Sequence, residues 1–468
     1  MSETITDLVA AEDVLLFVNA AVTATGQREF RSSAAEQRLS LAFLHEYVRV
    51  NYRPLYASCL ALDINDHNAA LIAEHLLRTP HEGGADEGRL IAARLALLPP
   101  QRVYRLFGAL RTAKVNNRRT RAIMRDWLAA RPDLGLDAVK YRTGLKTAVR
   151  HLHLTPGPET GDFLFAPRRR ARYDHPLLDA YRRAHHDQRA VYELPFTVAE
   201  GFAAKHGVPR AVFLERIAPR MTRLERLRTQ RGARARADLS TMPLTRLALY
   251  VLALPFEERA ARRAELTGAL RAAALRAAGP QAGTWGRVAA VLDDSYSSSG
   301  SGVKRRRPLA VALGCHYLLE ALAESYTVRW TSGGTDPLLV RPHGPTPLGL
   351  RILDALEAPG PAPDRLVIVS DGWDNAPPGL AGEVLRVWRG RLDPERRTAA
   401  VHLNPVYDAG GFDVRRLAPS VPTAGVRDAE DLPALVEIAQ FAEGRTGLAE
   451  LRAHLDRRVE LFLKEAGA

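Results

Sequence analysis

Apolar residues follow two different rhythms along this chain. Over residues 1–280 they recur mostly at three- and four-residue intervals, in short windows separated by polar or proline-containing breaks. That spacing predicts helices over 36–50, 68–77, 88–98, 102–110, 118–130, 134–152, 175–184, 197–206, 211–217, 244–254 and the Ala-rich 256–278. In 134–152 the apolar side is Leu134, Ala138, Leu145, Ala148, Val149 and Leu152, while Lys140, Arg142, Lys146 and Arg150 take other positions. One face packs and another is cationic. Short helices joined by short turns predict an all-α solenoid or irregular helical array, although no fixed period carries a repeated signature. Residues 155–172, with Pro156, Gly157, Pro158 and Gly161, read as a long breaker-rich loop.

The rhythm changes at Gly279-Pro280-Gln281-Ala282-Gly283. Beyond it, apolar runs at 285–292, 326–331, 365–370 and 399–403 alternate with helical patterns at 309–325, 347–357, 379–392 and 431–440. Such alternation predicts a C-terminal α/β domain, a doubly wound, Rossmann-like parallel sheet covered on both faces. The expected organisation is a helical region over 1–280, the α/β domain over 285–445, and a terminal amphipathic helix over 446–468.

Two of the apolar runs end in oxygen-bearing side chains. The first delivers Asp293, Ser295 and Ser297 in the spacing D-x-S-x-S, and the third delivers Ser370 and Asp371, with Gly372 permitting the turn that follows. Thr346 can add a hydroxyl from a loop between them. All of these ligands are hard oxygens, which suits Mg²⁺ first, with Mn²⁺ or Ca²⁺ also accommodated, and disfavours zinc. A lone D-x-S-x-S reads equally well as an Asx turn or helix cap; three segments in order, each in strand or loop context, favour a metal site.

Over about residues 285–445 these motifs resemble the von Willebrand factor A domains, whose metal-ion-dependent adhesion site has this D-x-S-x-S, Thr, Asp pattern. The resemblance implies that Asp293, Ser295, Ser297, Thr346 and Asp371 hold one cation, with a coordination position left open for a partner's carboxylate. No nucleophile and base are evident: Ser370 has no obvious His partner, and His343 reads as a solvated loop residue. Asp294 and Asp374 read as supporting acceptors or loop caps. No catalytic residue is therefore expected. Lys304 to Arg307 follow the motif closely, and either flank an anionic ligand or form a solvated loop.

Charge separates the two parts further. The chain of 468 residues has a formal net charge of +13. Residues 101–250 hold 31 basic and 13 acidic side chains, whereas residues 281–468 hold 22 and 24, so the field that attracts a polyanion lies in the helical region. Arginine dominates it, and its planar fork grips phosphates at two points and stacks on bases. The candidate RNA contacts are Arg118, Arg119, Arg121, Lys140, Arg142, Lys146, Arg150, Arg168, Arg169, Arg170, Arg172, Arg223 and Arg226. Tyr104, Phe107, Tyr141 and Tyr173 are interleaved with them, either as bases' stacking partners or as core. High Arg, Ala and Pro usage with little Lys also fits a GC-rich genome. Cys59 and Cys315 sit in apolar helical contexts and are expected to be core. The absence of a signal-peptide pattern or a long apolar stretch predicts a cytoplasmic protein without a membrane partner.

A basic helical region followed by a von Willebrand factor A domain resembles the Ro autoantigen and its bacterial relatives, the TROVE-domain RNA-binding proteins. In that family HEAT-like helical repeats close into a ring that binds small structured Y RNAs outside and single-stranded ends of misfolded RNAs through its hole. In the helical region the likeness rests on layout, charge and segments such as Asn116-Asn117-Arg118-Arg119 and Lys140-Tyr141-Arg142. Two readings stay open: an RNA-binding ribonucleoprotein scaffold, or an interaction adaptor similar to the von Willebrand A proteins that work beside MoxR-type ATPases, without RNA.

Overall fold

The structure, a computed structural model, describes residues 5–80, 86–167, 169–222, 225–226, 239, 241–433, 435 and 448–467. By its internal contacts the chain divides into two compact units, Ala73–Asp238 on the one hand and Met1–Ile72 together with Leu239–Ala468 on the other.

The larger unit is built on five parallel strands, β1 (Arg287–Leu292), β2 (Ser325–Trp330), β3 (Arg365–Val369), β4 (Ala399–Asn404) and, beyond the short antiparallel pair β5 (Tyr407–Asp408) and β6 (Asp413–Val414), β7 (Thr423–Gly425). Their order is β2-β1-β3-β4-β7. Every residue after the first is buried in β1, β3 and β4, and the unbroken apolar runs of β1 and β3 are those of a sheet covered on both faces. The edge strand β2 is only partly buried. One face carries Ala289, Val291, Leu366, Ile368 and Ala400 against Leu348, Ile352, Ala381 and Leu385 of the helices Leu348–Leu356 and Leu380–Val387. On the sheet lies the helix Arg307–Leu322, buried on every side from Pro308 to Leu319.

That all-round burial explains why this unit starts at 239 and not at the composition break near 280. The helices Leu244–Ala253 and Arg263–Ala278 pack on Arg307–Leu322 as a further layer. The expected helix over 256–278 breaks at Arg262 into Phe256–Ala261 and Arg263–Ala278. The first 72 residues join the same unit through polar contacts that no periodicity announces. Asn19 of the helix Ile5–Thr23 donates to Asp413 at 3.1 Å and accepts from the Gly425 amide at 2.9 Å. Gln37 donates to the Tyr407 carbonyl at 3.0 Å, and Ser40 shares a hydrogen bond with the Tyr407 hydroxyl at 2.7 Å. The terminal helix Leu448–Gly467 packs against Ile5–Thr23 and Arg53–Ser58. Of the helix expected over 431–440, residues 434 and 436–440 lie outside those described.

The smaller unit is a helical array. Its helices are Asp86–Leu97, Pro100–Thr112, Arg118–Ala129, Leu134–Lys140, Arg142–Leu152, Pro158–Phe165, Pro176–Arg183, Phe196–Lys205 and Arg210–Ile217. Prolines open several of them, at a position where the missing N–H costs no hydrogen bond. Two expectations change here. The helix over 134–152 breaks at Tyr141 (φ −123, ψ 31), three residues before Gly144, where an added Cβ would stand 2.5 Å from the Tyr104 Cβ. The loop over 155–172 contains the helix Pro158–Phe165, because Pro158 is a first-turn proline and not a breaker. Among the described residues, no helix is long and apolar enough to cross a membrane.

Candidate functional site

The chain runs from β1 to β2 on one side and returns to β3 on the other, so the sheet reverses its winding between β1 and β3. Crevices form at the carboxyl ends of strands at such a reversal, and Asp293 and Asp371 stand there. The Asp293 amide bonds the Val369 carbonyl at 2.9 Å, registering the two strand ends. The loop bearing Thr346 is tied to both: the Tyr296 amide bonds the Gly344 carbonyl at 3.0 Å, and the Thr346 amide bonds Asn375 Oδ1 at 2.7 Å. All five candidate ligands are buried, with Asp293, Ser295, Ser297, Thr346 and Asp371 between 1% and 7% exposed.

Within this cluster Asp293 Oδ1 accepts from the Ser295 amide at 2.8 Å and from Thr331 Oγ1 at 3.0 Å. Ser295 and Ser297 hydroxyls lie 3.2 Å apart, and Ser297 also hydrogen-bonds Asp371. Burial, and then the charge of Asp371, push the Asp293 carboxyl well above its usual range. Burial likewise raises Asp371, against the pull of Ser297, the Trp373 amide, Arg31 and Arg415. Two buried carboxylates that disfavour each other's ionisation, with hydroxyls between them, form an all-oxygen set that a hard divalent cation would satisfy. Among the described residues no group of three or more His, Cys, Asp or Glu side chains is arranged to hold a metal ion.

Asp294 and Asp374 are acceptors within the fold. Asp294 takes bonds from Thr331 Oγ1, the Ser332 amide and the Ser332 hydroxyl at 2.6–2.9 Å. Asp374 accepts the Ala381 amide at the start of the helix Leu380–Val387. His343 is exposed. Both readings of 304–307 need correction for three of its residues: Lys304 is buried in an ion pair with Glu29, Arg306 donates to the Leu252 carbonyl, and Arg307 donates to the carbonyls of Pro405 and Arg427 at 2.8 and 2.9 Å.

Ser370 does have a histidine partner. His402 Nε2 lies 3.0 Å from the Ser370 hydroxyl, and Nδ1 lies 3.2 Å from Thr423 Oγ1. Both residues are buried, and burial pushes the imidazole down to about 4. The pair braces adjacent strand ends; nothing exposes the hydroxyl for attack. Because the folded imidazole titrates below the ordinary value of about 6.5, its contribution to stability is complete above that value and is lost as pH falls toward 4. Replacing His402→Asn should therefore shrink the stability difference between wild type and variant by about 3 kcal/mol between pH 7 and pH 4, read from urea unfolding at each pH.

Sequence reasoning also missed the rim. The Trp373 ring lies between two guanidiniums, with Arg31 Cζ at 4.1 Å and Arg415 Cζ at 3.8 Å from its centroid. No local signal marks Arg31, which comes from the far end of the chain.

The chain is similar in fold to the crystal structure of the Deinococcus radiodurans RO (RSR) protein. The TM-score is 0.54 at 15% identity, over 93% of this chain and 100% of that one. At that identity the likeness is one of fold: a Ro-like combination of helical region and parallel sheet. No family model matches the chain, nor does any curated protein.

In the helical unit of this Ro-like fold the candidate cations separate into two groups. Arg119 is committed inward, to Glu87 at 2.5 Å and the Leu76 carbonyl at 2.7 Å. Arg142 donates to the Phe163 carbonyl and lies over the Phe163 ring, and Arg170 pairs with Asp162 at 2.6 Å. Arg118, Arg150, Arg169, Arg172 and Arg226 are exposed, and Arg121, Lys140 and Lys146 are partly so. Arg168 and Arg223, with the further arginines at 228–236, lie outside the described residues. Tyr104, Phe107 and Tyr173 are core, at most 3% exposed, which removes them as stacking partners for bases. Tyr104 donates instead to Asp137 at 2.8 Å, which also holds Arg131.

Proposed function

We propose that this protein is a non-catalytic, RNA-binding ribonucleoprotein scaffold whose sheet-bearing unit is a von Willebrand factor A domain with a divalent-cation site for a partner. The observation that carries the RNA reading is the excess of basic over acidic side chains in residues 101–250, much of it exposed, on a Ro-like fold. A field of that sign draws a polyanion, and arginine forks suit phosphate and unpaired bases. Small structured or misfolded RNAs are the substrate class that the Ro resemblance implies. The test is the ultraviolet absorbance of the purified protein: nucleic acid carried through purification and stripped by a high-salt wash supports the reading. Protein-like absorbance throughout, together with capture of an ATPase indifferent to RNase, selects the adaptor instead.

Asp293, Ser295, Ser297, Thr346 and Asp371 would hold the cation, Mg²⁺ by preference, and its open position would accept a partner's carboxylate. When bound, the ion supplies a positive centre between two carboxylates that otherwise oppose each other. Mg²⁺ at a hundredfold excess over its dissociation constant should then add about 2.7 kcal/mol to the stability of the wild type. Asp293→Asn should abolish that gain while leaving the metal-free protein at least as stable as the wild type, since it removes one of the two opposed charges. Calorimetric melting with and without Mg²⁺ reads both effects. An Mg²⁺ gain that survives Asp293→Asn contradicts the site.

A further inference from the structure

The exposed cations of the helical unit are not evenly spread. A recess of about 630 Å³ opens beside the helix Pro158–Phe165, lined by Leu154, Pro156, Pro158, Phe165, Arg169 and Arg170 among others. Phe165 is 40% exposed there, an unusual position for a phenylalanine ending a helix in a unit whose other phenylalanines are largely buried. Two cations from the neighbouring helix Arg142–Leu152 approach its ring, Lys146 Nζ at 5.3 Å and Arg150 Cζ at 5.2 Å from the centroid. They stand one helical turn apart on one face, so the ring, Lys146 and Arg150 form a single patch. Asp162 also lines the recess, 15% exposed, and holds Arg170 at 2.6 Å and Arg169 at 3.5 Å.

We infer that this recess is a base-stacking slot for single-stranded RNA, an inference that rests on the RNA reading and gives it a site. The apolar wall of Phe165, Pro156 and Pro158 offers a flat surface to a base, while Arg170 and Arg169 neutralise the Asp162 carboxylate at its edge. Arg150, Lys146 and the 76%-exposed Arg169 provide the positive rim along which the backbone runs. A flat, π-faced guest with a flexible anionic strand attached matches that division: base against Phe165, phosphates against the rim. A duplex keeps its bases stacked inside and cannot present one to the slot. Phe165 was not among the residues that charge and periodicity single out, because an isolated phenylalanine in a Pro- and Gly-rich segment carries no pattern.

The test uses the full chain and two fluorescently labelled RNAs, an unstructured oligonucleotide and a blunt duplex. Phe165→Ala should weaken binding of the single strand by roughly five- to a hundredfold, the loss of one stacked base, and leave duplex affinity unchanged. Phe165→Trp should restore the single-strand affinity, with the oligonucleotide quenching the new indole's fluorescence. Arg150→Ala should flatten the log-log salt dependence of single-strand binding by about 0.7. If the wild type binds both RNAs and Phe165→Ala binds the single strand as tightly as the wild type, the slot is wrong while the RNA reading stands. If the wild type binds neither RNA at low salt, the RNA reading falls and the slot falls with it.

Discussion

Lys304→Ala should lower the unfolding free energy by about 3–5 kcal/mol, the cost of stranding a buried charge. Lys304 and Glu29 form an ion pair whose side chains are 7% and 3% exposed, from segments 275 positions apart. Burial lowers the ammonium's proton affinity and Glu29 pulls it back up, so Lys304 depends on its partner to remain charged inside the fold. The pair also closes the loop that follows the candidate metal-binding turn. The Lys304 amide bonds the Ser301 hydroxyl at 3.0 Å, and the Arg306 amide bonds the Ser299 carbonyl at 2.7 Å. Removing both charges together, as Glu29→Leu with Lys304→Met, should cost far less than either single change, since no unpaired group remains. Urea unfolding of the wild type, both single variants and the double variant completes the cycle. A Lys304→Ala protein within about 1 kcal/mol of the wild type would mean that water reaches Glu29.

The same pair shows where sequence reasoning stops. The sheet was legible because β1 and β3 are unbroken apolar runs, and a parallel strand buried on both faces has no other way to be written. The strand-end cluster was legible for a related reason: Asp293 and Asp371 each follow such a run, so their placement is fixed by the strands and not by distant contacts. β5, β6 and β7 are two or three residues long, too short for any period to register. Lys304 and Arg307 looked like loop cations, because nothing in a local window shows that Glu29 or the Pro405 carbonyl will arrive to meet them. Arg119 and Arg142 sit on helices whose pattern exposes them, yet long side chains reach back to Glu87 and to the Phe163 carbonyl. Tyr104 reads equally as core or as a stacking residue in the sequence, and only the Asp137 carboxylate that accepts its hydroxyl shows how it is accommodated inside. His402 reads as one polar residue in an apolar strand, and its partner Ser370 appears only when β3 and β4 pair.

RNA binding should collapse with salt. The exposed and half-exposed cations of the helical unit include Arg118, Arg121, Lys140, Lys146, Arg150, Arg169, Arg172 and Arg226. If six or more of them neutralise phosphates, affinity should fall by about 10³ between 50 and 200 mM salt as the condensed counterions return. A protein-binding surface that uses arginine only as surface charge predicts no such loss, because there is no polyanion to neutralise. Filter binding of a labelled structured RNA with a single-stranded end, repeated across that salt range, measures this directly. The account predicts retention at micromolar protein or below at low salt, with a log-log slope of about −5 or steeper. No retention at low salt, or retention indifferent to salt, would contradict it.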